Sequence, residues 1–320
     1  MLQLVNLSND STDNVGLLGN DPAKLTAFLQ RNHLDGIEFM CCAPWDEKFH
    51  PAGVIRGMHL WFWPSWLDFW RGDEQALLEE FGCLENIETY FGTSREAWLA
   101  MLTKNFQQAA ACGAEYAVFH VAQARGSEIR CRKFAYTSAQ VIEAVLEFIN
   151  QLAAHLPSEL MLLYENLWWP GLDLQQPELV RELLAGTQHK AGIMLDTGHL
   201  MNTNTALRSE AEAVDYILKI IKNLGGLADA IRGIHLHASL SGEFAAAEQI
   251  RHPLRELNLS PQEMMDYVLQ IDRHQPFQTG EARRILAAVQ PEYLVHEFGQ
   301  DSLEDWENKL RQQLQALQLG

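Results

Sequence analysis

The run SAQVIEAVLEFINQLAAHLPSELMLLYEN, residues 138–166, decides how the rest of the chain is read. It opens on a Ser/Thr cap signal and continues as an amphipathic stretch from Ser138 to His155. Past Pro157 it becomes the short apolar run Met161–Tyr164 and ends on a carboxylate, so a helix hands over to a strand. The same alternation recurs in both directions. Ser94–Cys112 is a second amphipathic stretch, and the candidate strands are Leu4–Leu7, Gly36–Met40, Gly57–Trp61, Tyr116–Val121, Met161–Tyr164, Gly192–Leu195, Gly233–His237 and Tyr293–Phe298. Strands that are apolar throughout, joined by helices, predict a parallel sheet covered on its outer face, and eight such units fit a closed barrel. A doubly wound open sheet would instead show a glycine-rich phosphate turn, G-x-G-x-x-G or G-x-x-x-x-G-K-[ST], after an early strand, and the chain has neither.

The expected fold is therefore α/β: a (β/α)₈ TIM barrel forming one domain over residues 1–320. Two connections exceed a minimal loop. An enlarged, tryptophan-rich one follows the third strand at Trp61–Trp70, and a helical insertion follows the seventh, from Ser239 to Phe277. With 320 residues and 47% hydrophobic content the chain can bury one large core. Its 42 acidic against 24 basic side chains, a formal charge of −18, would repel a phosphate backbone, so nucleic acid is not an expected partner. No stretch reaches the 18 apolar residues of a spanning helix and the N-terminus lacks a targeting pattern, which gives a cytoplasmic expectation. The five cysteines follow neither zinc-ribbon nor redox spacing and are read as free thiols.

The chemistry lies in what ends the strands: Glu38, His59, His120, Glu165, Asp196, His235 with His237, and Glu297. In a barrel these ends share one rim, and residues two apart on a strand point the same way. Carboxylates and imidazoles together suit a divalent ion such as Mn, Mg, Co or Zn. A lone strand histidine is usually a satisfied core residue. A whole rim of such groups is costly to bury unless the groups are paired or ligated.

The segments Leu163-Tyr164-Glu165-Asn166, Met194-Leu195-Asp196-Thr197-Gly198-His199, Ile234-His235-Leu236-His237 and Val295-His296-Glu297-Phe298 resemble the xylose isomerase-like barrel superfamily. That group holds sugar isomerases and epimerases beside apurinic-site endonucleases. The resemblance implies that Glu165, Asp196, His235 and Glu297 ligate one metal, with His237 as the alternative to His235. It also implies that Glu165 and Glu297 act as acid and base in isomerising or epimerising a sugar-like hydroxy-carbonyl compound through an enediolate. His59, His120, His199, His237, Glu38, Trp63 and Trp168 are the expected substrate contacts. His59 and His120 also match histidines of the three-zinc endonuclease branch. The D-x-H pair of that branch is not found after the seventh strand, where Ser239-Leu240-Ser241-Gly242-Glu243 stands, so one ion is expected.

Two other readings compete with the isomerase: a metal-dependent phosphodiesterase or endonuclease, and a non-catalytic ligand-binding barrel. Six of nine tryptophans lie in the loops after strands three and five, where they would serve equally as a lid over substrate or as the contact of a homo-oligomer. Arg125 is a weak candidate for holding a phosphate. Glu74–Glu80, Glu210–Asp215 and Asp301–Glu307 read as solvated helix faces or first-turn acids. His33, His50, His155, His189, His252 and His274 receive no role, and His296 should point out of the barrel.

Overall fold

The computed structural model describes residues 1–256 and 260–319, so residues 257–259 of the expected insertion and Gly320 lie outside the described residues. Eight parallel strands close into a barrel in sequence order. They are β1 Leu2–Ser8, β2 Gly36–Met40, β3 Ile55–His59, β4 Tyr116–His120, β5 Met161–Glu165, β6 Ala191–Asp196, β7 Ile231–Leu236 and β8 Tyr293–His296. Each expected strand is present, with shifted ends. β3 begins two residues early and stops at His59, because the aromatic run after it is apolar for packing into the loop. β7 and β8 stop one residue before His237 and Glu297.

Period-two alternation sorts the strand residues between two cores. Leu4, Tyr116, Val118, Met161, Leu163, Met194, Tyr293 and Val295 fill the barrel interior. Their sequence neighbours face the outer helices, where the second core lies. His296 follows this rule: it points outward, is fully buried, and meets Gln313 Nε2 at 2.9 Å under the helix Leu303–Leu317. Burial pushes the His296 imidazole down to about 3, so it stays neutral.

The loop after β3 carries the helices Trp66–Arg71, Glu74–Phe81 and Leu84–Phe91 before the barrel helix Arg95–Ala111. The insertion after β7 contributes Gly242–Arg251 and Pro261–Ile271. It returns to the rim through an antiparallel bridge, Ala238 N to Gln275 O at 2.7 Å and Gln275 N to Ala238 O at 3.2 Å. Two sequence expectations fail here. Glu80 is not on a solvated face: its carboxylate accepts from Gly126 N at 2.8 and 3.1 Å, and burial pushes it up to about 7. Arg125 is not free for a phosphate, because Asp68 grips it through two hydrogen bonds of 2.9 and 2.7 Å. The five cysteines are free, and no helix among the described residues is long and apolar enough to cross a membrane.

Gln313 ties the last helix to the barrel. Its Nε2 donates to Leu236 O at 3.0 Å, and its Oε1 accepts from Phe277 N at 2.9 Å, all out of water. Gln313→Leu should therefore lower stability by about 1–3 kcal/mol in denaturant unfolding, the cost of orphaning buried polar groups. A midpoint equal to wild type would contradict this.

Candidate metal centre

Strand register assembles the site pair by pair. His120 and Glu165 are cross-strand partners on β4 and β5, and Asp196 and His235 on β6 and β7. Parallel partners point the same way, so all four enter the cup. Around them gather five carboxylates, Glu38, Glu165, Asp196, Asp272 and Glu297, and six imidazoles, His59, His120, His199, His235, His237 and His274, in overlapping groups whose donor atoms lie within 4.8 Å of one another.

Glu165 stands at the centre and is 1% exposed. Its Oε2 lies 3.1 Å from both His59 Nε2 and His120 Nε2. Its Oε1 lies 3.2 Å from His199 Nδ1 and 3.3 Å from His235 Nδ1. One oxygen thus faces each of two imidazole pairs. Asp196 divides in the same way. Its Oδ1 accepts from His199 N at 2.6 Å and caps the helix Thr197–Asn202, and its Oδ2 is 2.9 Å from His237 Nε2. Glu297 closes the cup, 3.0 Å from His235 Nδ1.

The local sequence explains these positions. Asn166 pins the ends of β5 and β6 by donating to Asp196 O at 3.0 Å and accepting from Asp196 N at 2.9 Å. Thr197 Oγ1 donates toward the backbone oxygens of His235 and His237 and accepts from His237 N, fixing the end of β7. A Cβ at position 198 would stand 2.0 Å from His237 Cε1, so only glycine leaves room for that ring. The E-N and D-T-G-H motifs are thus the clamps of the rim.

Two residues of the cluster were missed in the sequence. Asp272 Oδ2 lies 3.0 Å from His199 Nε2, and Asp272 Oδ1 accepts from Ser239 Oγ at 3.1 Å. His274 stacks on His237 at 4.2 Å and approaches Glu297 Oε1 at 3.7 Å. Asp272-Arg273-His274 is a D-x-H pair, displaced from β7 by the whole insertion and returned by the Ala238–Gln275 bridge. It was legible as a motif, and only the expectation of immediate proximity to the strand hid it. The unassigned status of His274 is corrected accordingly.

His235 and His237 both reach the cup, His235 Nδ1 at 3.8 Å and His237 Nε2 at 2.9 Å from Asp196 Oδ2. Glu38 lines the mouth from β2, with its carboxylate 2.9 Å from His235 Nε2. Trp168 lies against His199 at 5.1 Å, whereas Trp63 lies against Tyr90 at 4.2 Å with the rings tilted by 36°. The open mouth, about 400 Å³, is lined by Asn6, Ser8, Asp13, Met40, Leu269 and Gln300 above the cluster.

The donor set fits divalent cations. Glu165 Oε1, His235 Nδ1 and Glu297 Oε2 are buried and mutually close, yet none has a hydrogen bond of acceptable geometry among the described residues. His235 Nδ1 lies 3.3 Å from Glu165 Oε1 and 3.0 Å from Glu297 Oε2 without a hydrogen bond, a need that a cation would satisfy. Without a cation the balance falls to protons. Burial disfavours charge on His199 and His235, but the surrounding carboxylates hold both well above the usual imidazole range, and Asp272 and Glu297 bring His274 up to about 9. Burial would raise Glu165 and Glu297, yet the imidazoles keep both well below the usual carboxylate range.

The family model described as xylose isomerase-like TIM barrel matches residues 34–318. In structure the chain is similar to endonuclease IV from Thermus thermophilus, with a TM-score of 0.54 at 15% identity over 100% of each chain. It is similar also to D-psicose 3-epimerase, solved in the presence of D-fructose, with a TM-score of 0.53 at 11% identity over 99% of each chain. At such identities the likeness concerns the fold. No curated protein matches the sequence.

Two outcomes follow. Raised imidazole values mean that protons occupy the ion-free cup at neutral pH, so cation binding must expel them and tighten as pH rises toward 9. Calorimetry of Zn²⁺ binding in buffers of different ionisation heat should register proton release, and binding independent of pH would contradict it. Elemental analysis should find more than one ion per chain, and His274→Ala should lose an ion while remaining folded. One ion per chain, unchanged in His274→Ala, would refute the wider ligand set.

Proposed function

Because this chain belongs to the xylose isomerase-like TIM barrel family, we propose that it is an enzyme with a multinuclear divalent-metal centre that hydrolyses a small phosphate ester. The observation carrying this reading is Glu165, whose two oxygens face different imidazole pairs, His59 with His120 and His199 with His235. A carboxylate so placed would hold an ion on each side. It is then not free to remove a proton from carbon, as a one-ion isomerisation through Glu165 and Glu297 requires. Asp196 links the His235 position to a third group, His199, His237, Asp272 and His274.

Closely spaced divalent ions supply charge to both the attacking and the leaving oxygen of an in-line displacement at phosphorus. The protein's own groups hold that arrangement. His59, His120 and Glu165 would hold one ion; Glu165, Asp196, His235 and Glu297 a second; His199, His237, Asp272 and His274 a third. The P–O ester bond breaks as an oxygen of water bonds to phosphorus, and the water's protons are shared between a carboxylate and the leaving oxygen. Glu297 lines the mouth and would offer an ion only Oε2, 3.0 Å from His235 Nδ1, which leaves Oε1, 3.7 Å from His274 Nε2, to accept one. Trp168 covers the His199 side and keeps bulk water off that flank. A mouth lined by Asp13 and neutral groups, on a chain of charge −18, favours a substrate whose charge is confined to one phosphate over a long polyanion.

A second reading, sugar isomerisation or epimerisation, is favoured by one feature: Glu165 and Glu297 approach the same His235 nitrogen at 3.3 and 3.0 Å, as an acid–base pair flanking a substrate would. One experiment separates the two. Zinc- or manganese-loaded protein should release p-nitrophenol from mono- or bis(p-nitrophenyl) phosphate, and Asp272→Asn should slow release by about 10²-fold or more. Ketoses and their phosphates incubated in heavy water should acquire no deuterium on carbon. Deuterium uptake without ester cleavage would overturn the hydrolytic reading in favour of the isomerase.

A further inference from the structure

Across the barrel runs a line of side chains to which the chemistry above gives no part. Glu38 lies inside the barrel at the middle of β2 and is 2% exposed. Its carboxylate accepts from Tyr116 Oη at 2.7 Å and lies 2.9 and 3.1 Å from His235 Nε2. Strand register puts Glu38, Gly57 and Tyr116 in one row across β2, β3 and β4. Gly57 lets the tyrosine cross its own strand, because a Cβ there would stand 2.1 Å from Tyr116 Cζ and 2.5 Å from Tyr116 Oη. The other nitrogen of the same imidazole, His235 Nδ1, faces Glu165, Asp196 and Glu297.

We propose that Glu38 is a positioning residue that accepts a hydrogen bond from His235 Nε2–H, so that His235 Nδ1 presents its lone pair upward to the ion site, with Tyr116 holding Glu38 and Gly57 making room for Tyr116. An imidazole has one proton to place when neutral, and a carboxylate at one nitrogen fixes that proton there and leaves the other nitrogen as a donor. The same contact raises the electron density at Nδ1 and stops the ring from turning. Tyr116 in turn occupies one lone pair of Glu38 and faces Tyr293 at 4.4 Å, which leaves the carboxylate little freedom to swing. Such a line would tie metal affinity to residues outside the three proposed ion positions.

The inference rests on the metal-centre reading, and its test uses binding, so that failure of the hydrolytic reading would not affect it. Zn²⁺ titration of the full-length, metal-stripped protein should show Glu38→Gln binding about 10–100-fold more weakly than wild type. Tyr116→Phe, which keeps Glu38 but removes its clamp, should lose several-fold and serves if the glutamine variant does not fold. The ¹⁵N spectrum of histidine-labelled, zinc-loaded protein should contain one ring protonated at Nε2 and ligated through Nδ1, and in Glu38→Gln that signal should shift or broaden while the ion-free melting temperature holds. A purely structural role would move the melting temperature and leave the tautomer signature alone. The proposal is overturned if Glu38→Gln binds Zn²⁺ as wild type does, if His235 ligates through Nε2, or if X-ray absorption or diffraction puts a Glu38 oxygen in the ion's own coordination shell. Failure of the wild-type chain to bind Zn²⁺ at all would remove the metal centre and this role with it.

Discussion

The desolvation of five carboxylates in one cup is the constraint on which the rest of the structure turns. Glu38, Glu165, Asp196, Asp272 and Glu297 are each 9% exposed or less. An ionised carboxylate taken out of water carries an effective penalty of several kcal/mol, repaid only by cations or protons close at hand. Six imidazoles supply some of that, but each can carry a proton only by giving up its role as a donor of electrons. Divalent ions resolve the conflict, since they neutralise the carboxylates and accept the imidazole lone pairs together. The hydrogen-bond-free atoms Glu165 Oε1, His235 Nδ1 and Glu297 Oε2 mark the point where that conflict is sharpest.

Holding this arrangement determines features remote from it. The pairing of His120 with Glu165 and of Asp196 with His235 demands that four strands keep their register, since a slip of one residue would turn a ligand into the outer core. Gly57 and Gly198 are kept bare by the rings of Tyr116 and His237. Ser239 and the Ala238–Gln275 bridge bind the two ends of the insertion together, so a long excursion of chain still delivers Asp272 and His274 within hydrogen-bonding range of the rim.

Much of this was legible in the sequence because the barrel rule is simple: apolar runs of five or six residues, each ending on a carboxylate or imidazole, must converge if the strands are parallel. The set Glu38, His59, His120, Glu165, Asp196, His235, His237 and Glu297 follows from that rule, and the resemblance singles out Glu165, Asp196, His235 and Glu297 within it. What was not legible depends on side-chain contacts and on return paths. Glu38 stands third of the five residues of β2, two before the strand ends, and its side chain meets His235 inside the barrel. Asp272 and His274 lie 35 and 37 residues past His237, beyond two helices, and nothing in the chain's periodicity says that an insertion closes on its own origin. Arg125 and Trp63 were misjudged because partners decide them: Asp68 claims the guanidinium and Tyr90 the indole.

In the proposed centre Glu165 would hold an ion on each side. The most direct measurement is anomalous diffraction at the zinc edge from crystals of the zinc-loaded protein. At least two anomalous peaks should flank Glu165, one on the side of His59 and His120 and one toward Asp196, His235 and Glu297, with a further peak beside Asp272 and His274. A single peak among Glu165, Asp196, His235 and Glu297, with His59, His120, Asp272 and His274 hydrogen-bonded away from it, would contradict the multinuclear centre and return Glu165 to the role of a proton-transferring carboxylate.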